Sequence, residues 1–507
     1  MLSRPRFLDR LPGKSWDVLV IGGGATGIGS ALDAASRGYS VLLLERGDFA
    51  VATSSRSTKL IHGGVRYLAQ GNLSLVRESL YERGLLLRNA PALVQPLEFL
   101  VPTESLLETA YYATGLKAYD ALAGGLRLRW SRALSRSAAL GRVPTLNGSR
   151  LWGGVSYMDA QFDDSRLVLA AASRCAELGG TLLNYFAVTR LLKTNGRVCG
   201  AVAVDQETGR EYEIPARAVI NATGIFTDEV RRLDEPAAAP LLQLSQGAHI
   251  VLDRSFLPGE TAVIVPRTED GRVLFMIPWQ GATLVGTTDI SVPQAVTEPR
   301  IMPEEIEYLL EYVGKYLTVQ PHRQDIRSCF AGLRPLVRED GERATSKLSR
   351  DHVIKISPSG MVSITGGKWT TIRKMGEDAV RTAAREARLE PRPPATAQLA
   401  LSPRETYAGL FAPRTAPPEM SEELVRYFVH EEMARTVEDV LSRRSRWLLV
   451  DAREAVRQSA WVSRMLAAEL GRDKTWAASE TTRFRELAAG YLPLPLGDVG
   501  VRATATT

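Results

Sequence analysis

DVLVIGGGATGIGSALDAASRGYSVLLLE, residues 17–45, decides the fold. Asp17 to Ile21 is a short apolar run, followed at once by glycines and then by a helix-compatible stretch, Ile28 to Arg37, that stops at Gly38. Ser40 to Leu44 is a second run, which completes a strand–helix–strand unit. Gly22-Gly23-Gly24-Ala25-Thr26-Gly27 is a GxGxxG loop directly after the first strand, so its backbone amides and the following helix N-terminus can face a pyrophosphate. Glu45 ends the second run about 20 residues on, where a carboxylate can bind adenosine ribose hydroxyls. By itself the glycine pattern also describes a tight turn; strand, helix and acid at this spacing favour a dinucleotide. The loop does not distinguish a nicotinamide from a flavin.

Outward from that unit, Gly180 to Ala222 reads as a series of strands: Thr181 to Phe186, Val188 to Leu192, Val198 to Val204, Tyr212 to Ile214 and Ala218 to Asn221, with a turn at Asn195-Gly196. From Ser421 onward the apolar spacing becomes helical, in EELVRYFVHEEM, VDAREAVRQSAWVSRMLAAEL and SETTRFRELAAGYL. The stretch before it is rich in Pro and Ala, as a linker is. The pattern predicts an α/β body followed by a helical C-terminal domain.

Of 507 residues, 45% are hydrophobic and 24% charged, a globular profile with apolar material for a sizeable core. Sixty-three Lys and Arg against 57 Asp and Glu give +6, too mild for a dedicated nucleic-acid binder but favourable to small acidic substrates or acidic lipid headgroups. Cys175, Cys199 and Cys329 are too scattered for a disulfide framework or a CxxC metal site, which points to a reducing compartment. No apolar run approaches the roughly 18 residues of a spanning helix. MLSRPRFLDRLPGKSW lacks the apolar middle of a secretory signal and reads as a short arm.

After Glu45 the chain continues through TSSRSTKLIHGGVRYL, Thr53 to Leu68, dense in hydroxyls (Thr53, Ser54, Ser55, Ser57, Thr58) and with Gly63-Gly64 open to close backbone approach. On composition an ordinary polar loop fits too. The stretch resembles the signature of the flavin-dependent glycerol 3-phosphate dehydrogenases, among the D-amino-acid oxidase-like flavoproteins. Further motifs follow in order: SYMDAQFDDSRLVLA at Ser156 to Ala170, VINATG at Val219 to Gly224, QGAHIVL at Gln246 to Leu252, IPWQGATLVGTTD at Ile277 to Asp289, AGLRPL at Ala331 to Leu336, SRDH at Ser349 to His352, GGKWTTIRKM at Gly366 to Met375 and VEDVLSRRSR at Val437 to Arg446. Ile225-Phe226 departs from the Pro-Trp of many similar chains, a change that concerns local packing. The chain has neither the mid-chain insertion of the glycerophosphate oxidases nor an EF-hand loop, and its C-terminal domain has no cysteine, so it resembles the single-chain respiratory type.

The resemblance implies a Rossmann-like FAD-binding domain (about 17–90, 155–230 and 325–390) interleaved with a β-sheet substrate domain (about 91–154 and 231–324). Around these it implies an arm at 1–16, a linker at 391–420 and a helical domain at 421–507. It implies non-covalent FAD and oxidation of sn-glycerol 3-phosphate to dihydroxyacetone phosphate by hydride transfer to flavin N5, with electrons passed to membrane quinone. It also implies a cytoplasmic location against the inner face of a membrane, and leaves room for a homodimer. A glycerophosphate oxidase reducing oxygen is the second reading. An electron carrier without a substrate of its own is the third, and it leaves the basic residues inside the motifs unexplained.

The resemblance places Arg66, Arg350 and Lys368 around phosphate, with Tyr67 and Thr370 nearby, and Arg334 at the reacting hydroxyl. It assigns the cofactor to Gly22, Gly24, Ala25, Thr26, Gly27, Glu45, Thr53, Ser54, Ser57, Lys59, Leu60, His62, Val188, Thr223, Gly224, Gly366, Gly367, Lys368, Trp369 and Thr370. His249 opens an apolar strand and reads either as a satisfied strand-edge histidine or as the general base for the substrate hydroxyl. The Gly366-Gly367 pair opens a helix-compatible stretch whose N-terminus can stabilise negative charge on the flavin pyrimidine end. Asp159, Asp163 and Asp164 suggest helix capping rather than a metal site. Between Ala121 and Met158 stand six arginines, Arg127, Arg129, Arg132, Arg136, Arg142 and Arg150, and no acid. Interleaved with Leu126, Leu128, Trp130 and Leu134, they suggest either a face lying on an anionic lipid surface or a solvated basic surface.

Overall fold

A computed structural model describes residues 2–69, 71–265, 268, 272–338, 351–401 and 411–493, with only the backbone at Arg66 and Ala69. The opening unit forms as its pattern predicts. Strand Trp16–Ile21 pairs in parallel with Val41–Leu44, and the helix between them runs Ala25–Ser36. That helix starts three residues before the sequence reading because extended Gly24 caps it and Ala25 and Thr26 are already helical, which brings its first amides up to the glycine loop. The first strand is buried along nearly its whole length, as a parallel strand covered by helices on both faces must be. The sheet continues in the order His352–Ile356, Val362–Gly366, Glu211–Asn221, Trp16–Ile21, Val41–Leu44, Thr181–Leu183.

The sequence reads Tyr212 to Ile214 and Ala218 to Asn221 as two strands, but Glu211–Asn221 is one. Through Pro215 it pairs antiparallel with Arg197–Asp205, and from Ala216 it pairs in parallel with the first strand. Its alternating exposed half and buried half look like separate elements because the strand changes partners midway. Asn195 and Gly196, with φ of 50° and 76°, make the expected tight turn between Phe186–Thr194 and Arg197–Asp205.

A second, largely antiparallel sheet runs Ile290–Val292, Leu242–Asp253, Ala282–Gly286, Leu274–Trp279, Ala262–Val265, Val94–Thr103, Gly153–Phe162, Leu60–Ile61. Ser328–Val337 pairs with Leu242–Asp253, and Arg132–Ser135 with Gly153–Phe162. One junction between the sheets is where Gly153–Phe162 leads into helix Asp164–Glu177, which packs on the opening helix. Asp163 caps this helix, its side chain accepting from the Arg166 amide, as the capping reading predicts.

The C-terminal helices Glu422–Glu432, Ala452–Glu469 and Lys474–Ala489 match the periodic stretches. The segment between the first two is driven into the body. Arg443, Arg444 and Arg446 are each at most 1% exposed. Arg443 Nε donates to Asp48 Oδ2 at 2.6 Å, and Arg444 Nη2 to Asp48 Oδ1 at 2.8 Å and to the Glu432 carbonyl at 2.6 Å. Burying these charges is costly unless each is paired, and breaking one such pair costs about 3–5 kcal/mol because the survivor stays buried and uncompensated. Asp48→Asn is therefore expected to lower unfolding free energy by about 3–5 kcal/mol in denaturant titration. A loss below about 1 kcal/mol would show that the pair does not hold the helices to the body.

Candidate active site

The glycine loop is built for close approach. A Cβ at Gly27 would stand 1.8 Å from the Gly22 carbonyl oxygen, and one at Gly22 would stand 2.6 Å from that of Ala222. No side chain fits on the inner side of this turn, which leaves backbone amides for a pyrophosphate. Glu45 is buried against the loop, its two oxygens accepting from the Gly23 and Gly47 amides at 2.6 and 2.7 Å. Ser54 Oγ accepts from the Ala25 amide at the start of the helix at 2.9 Å. Thr223 hydrogen-bonds Asn221 directly below, and Gly224, with φ of 57°, turns the chain away. Val188 sits farther off, half-buried beside a bulge in Phe186–Thr194.

Two stretches cross the junction between the sheets. In the first, Thr53 donates to the Leu333 carbonyl, Ser57 Oγ to Asp164, and buried Leu60 pairs with Gln161. The Lys59 ammonium is fully buried, 2.6 Å from Asp164 Oδ2 and 2.7 Å from the Ser55 carbonyl. Burial pulls it down to about 8, helped by the nearby Arg446 charge and opposed by Asp164. In the second, Gly366 and Gly367 both have positive φ, and Trp369 Nε1 donates to the Ser54 carbonyl at 3.2 Å. Thr370 Oγ1 meets the His62 amide at 3.2 Å and the His62 carbonyl at 3.1 Å, while the Gly63 amide donates to Tyr119 Oη at 2.7 Å. Tyr119 in turn donates to buried Asp159, which pairs with Arg83. The His62 loop is thus clamped from both sides.

On the second sheet, register places Ser245 opposite Arg334, Gly247 opposite Gly332 and His249 opposite Phe330, all on one face. A Cβ at Gly247 would stand 2.1 Å from Arg334 Nη2, so the guanidinium lies across this glycine toward His249. Arg334 Nη2 donates to Thr287 Oγ1 at 3.0 Å, and its Nη1 lies 3.8 Å from Asp289. His249 stacks on Phe330 at 5.0 Å, and its Nε2 meets Thr58 Oγ1 at 2.9 Å. Its Nδ1 is buried and has no hydrogen-bond partner among the described residues. Burial, followed by the charges of Lys59 and Arg334, lowers its pKa well below the usual imidazole value, so the ring is neutral at pH 7. A neutral imidazole with an unpartnered nitrogen can take a proton from a hydroxyl, and a guanidinium on the same face can steady the resulting negative charge.

Of the phosphate residues, Tyr67 and Lys368 lie together, with Lys368 Nζ 4.0 Å above the ring and 3.3 Å from Ser79 Oγ. Arg66 stands in helix Val65–Ala69, its side chain outside the described residues, and Arg350 lies outside them altogether. The acid-free reading of 121–158 does not survive in space. Arg129 and Arg142 meet Glu98, and Arg150 meets Glu104 at 2.7 Å, because the adjoining strand supplies the acids. Sequence reasoning also left Thr58, Asp164 and Arg446 without a site role. All three lie inside quoted motifs, and the adjacent arginines of VEDVLSRRSR are the available signal.

Residues 17–373 match the FAD dependent oxidoreductase family, and the chain belongs to it. Its cofactor is FAD, which the bare glycine turn and the Glu45 carboxylate fit. Residues 394–477 match the C-terminal domain of alpha-glycerophosphate oxidase. Among individual proteins, the mitochondrial glycerol-3-phosphate dehydrogenase of Homo sapiens is 44% identical over 402 residues, 76% of this chain and 55% of that protein. The chain thus spans about half the length of the curated relatives it matches. A crystal structure of the glycerol-3-phosphate dehydrogenase from Bacillus halodurans complexed with FAD superposes with a TM-score of 0.79 at 28% identity, covering 98% of this chain and all of that one. The L-alpha-glycerophosphate oxidase of Mycoplasma pneumoniae, at 18% identity and a TM-score of 0.59, covering 77% of this chain and 99% of that one, shares the fold. If the glycine turn holds FAD, Gly27→Ala purifies without flavin absorbance while keeping its far-ultraviolet circular dichroism; a yellow Gly27→Ala protein would refute the cradle.

Proposed function

We propose that the chain oxidises sn-glycerol 3-phosphate to dihydroxyacetone phosphate and passes the electrons to a membrane quinone. The observation that carries this reading is His249, neutral and buried, its Nδ1 without a hydrogen-bond partner among the described residues and the Arg334 guanidinium on the same face of the sheet. In this reading His249 Nδ1 takes the proton of the carbinol hydroxyl, and Arg334 stabilises the alkoxide character that develops there. Lys368, with Tyr67, Arg66 and Arg350, binds the phosphate. Bound FAD supplies the two-electron acceptor for the carbon–hydrogen bond that breaks. It is held without a covalent bond, the clamped His62 loop packing against it. The similarity to glycerol-3-phosphate dehydrogenases supports the choice of substrate.

Anaerobic addition of sn-glycerol 3-phosphate should bleach the flavin, and a quinone analogue should restore it faster than oxygen does. A flavin that stays yellow refutes the reading, and peroxide as the main product makes the protein an oxidase. His249→Gln should slow bleaching about 100- to 10,000-fold. Because the folded pKa of His249 is depressed, the ring stays unprotonated as pH falls through 6.5, so the rate at saturating substrate should hold there and decline only in more acid solution. A decline centred at or above pH 6.5 would point to another base.

Approach to a quinone requires contact with a bilayer, and the apolar surface favours helix Leu106–Leu122 over the arginine stretch alone. Leu107 is 83% exposed, Tyr111 67% and Trp152 57%; the Trp152 amide donates to the Thr103 carbonyl, beside the start of that helix. Arg127 lies over exposed Trp130 at 4.0 Å, which combines an aromatic anchor with positive charge. No helix among the described residues is long and apolar enough to cross a membrane. In vesicle co-sedimentation, Leu107→Asp with Trp152→Asp should abolish binding to anionic vesicles. Arg127→Gln with Arg132→Gln and Arg136→Gln should weaken it mainly at low salt. Equal sedimentation of all three proteins would exclude this face.

A further inference from the structure

We propose that Arg446, in the C-terminal helical segment, is a positioning residue for His249. Through Asp164 it fixes the loop whose Thr58 hydroxyl holds the imidazole with Nδ1 turned toward the substrate. The inference rests on the reading of His249 as the base and adds to it a task for the C-terminal segment.

Asp164 is completely buried and uses both oxygens. Oδ2 accepts from Lys59 Nζ at 2.6 Å, from Ser57 Oγ at 2.7 Å and from the Ser57 amide at 3.1 Å. It therefore grips the chain on either side of Thr58, the residue that reaches His249 Nε2 at 2.9 Å. Oδ1 accepts from Arg446 Nη2 at 2.8 Å and from the Ser165 amide at 2.8 Å. The same guanidinium donates to the Ser55 carbonyl at 3.1 Å and to Ser165 Oγ at 3.0 Å, so Arg446 and Lys59 share two acceptors, Asp164 and Ser55.

The Ser165 amide holds Oδ1 only from within the same helix, whereas the planar fork of Arg446, bound at Oδ1 and at the Ser55 carbonyl, ties the carboxylate to the loop itself. An ammonium at the same place has neither the plane nor the reach. The backbone of Arg446 itself is left-handed, with φ of 72°, directly after the π-helical turn Asp439–Arg444. A non-glycine residue seldom adopts that conformation unless its surroundings hold it there. Here the buried side chain is what holds it, and the target of that side chain is the loop behind the catalytic histidine.

The test uses the FAD-loaded full chain and follows anaerobic flavin reduction by stopped flow at saturating sn-glycerol 3-phosphate. The variants are Thr58→Val, Arg446→Lys, Arg446→Met and the double variant Thr58→Val with Arg446→Lys. Thr58→Val should slow reduction about tenfold, with KM changed by less than about threefold, because the base is misplaced while the phosphate site is untouched. Arg446→Lys should slow it about fivefold in the same pattern, Arg446→Met by more, and the double variant should be no more than about twofold slower than Thr58→Val. Residues that act through one another do not multiply, whereas general damage does. If Arg446→Met fails to fold, Arg446→Lys and the double variant carry the test. Multiplying effects, or an Arg446→Lys enzyme that loses melting temperature but no rate, would overturn the proposal with His249 still the base. Wild-type reduction by His249→Gln would overturn both.

Discussion

Asp164 carries its negative charge where water does not reach, and the architecture converges on it. Burial alone would push its carboxyl toward protonation, but Lys59 on one oxygen and Arg446 on the other hold it below the usual carboxylate range. Each partner comes from a different part of the chain: the loop after the nucleotide-binding unit, the start of the helix that follows strand Gly153–Phe162, and the C-terminal segment. Loss of one partner leaves the others charged in a low-dielectric interior, so the three segments stand or fall together. Asp48 does the same a short distance away with Arg443 and Arg444. The helices at the end of the chain are therefore a wall of the site, held by charge.

That arrangement explains how two unlike sheets share one centre. The parallel sheet brings a bare backbone to the cofactor, and the antiparallel sheet brings His249 and Arg334 on a face where Gly247 makes room. Burial opposes protonation of His249 most, and the charges of Lys59 and Arg334 add to the effect. In the proposed reaction positive charge would act twice, keeping His249 unprotonated and receiving the negative charge that proton removal creates.

Much of this was legible in the sequence. Asp17 to Glu45 contains the local signals for its own fold: apolar period, glycine spacing and a terminal acid. The first two C-terminal helices follow their apolar spacing to within a residue or two, while the third begins at Lys474, five residues before the periodic stretch. What could not be read was pairing across space. Arg443, Arg444 and Arg446 look along the chain like a solvated basic cluster, because Asp48, Asp163 and Asp164 lie far away in sequence. The stretch from Ala121 to Met158 looks acid-free for the converse reason, its counterions Glu98 and Glu104 standing on a neighbouring strand and just beyond it. Ile225-Phe226 is a local change with a local answer: Ile225 fills a small cluster with Ala52, Leu242, Leu244 and Leu333, and Phe226 lies under Arg46.

The reach of Arg446 back to Ser55 also bears on the order of synthesis. A ribosome releases the nucleotide-binding loop, Asp48 and Lys59 early, and both sheets follow before the arginines that neutralise the two interior aspartates leave the exit tunnel. During that interval the nascent chain has its fold-defining strands, but Asp48 lacks both of its arginines and Asp164 has only Lys59. Consolidation around the two aspartates thus waits for residues 443–446, when the emerging arginines seat themselves in the interior.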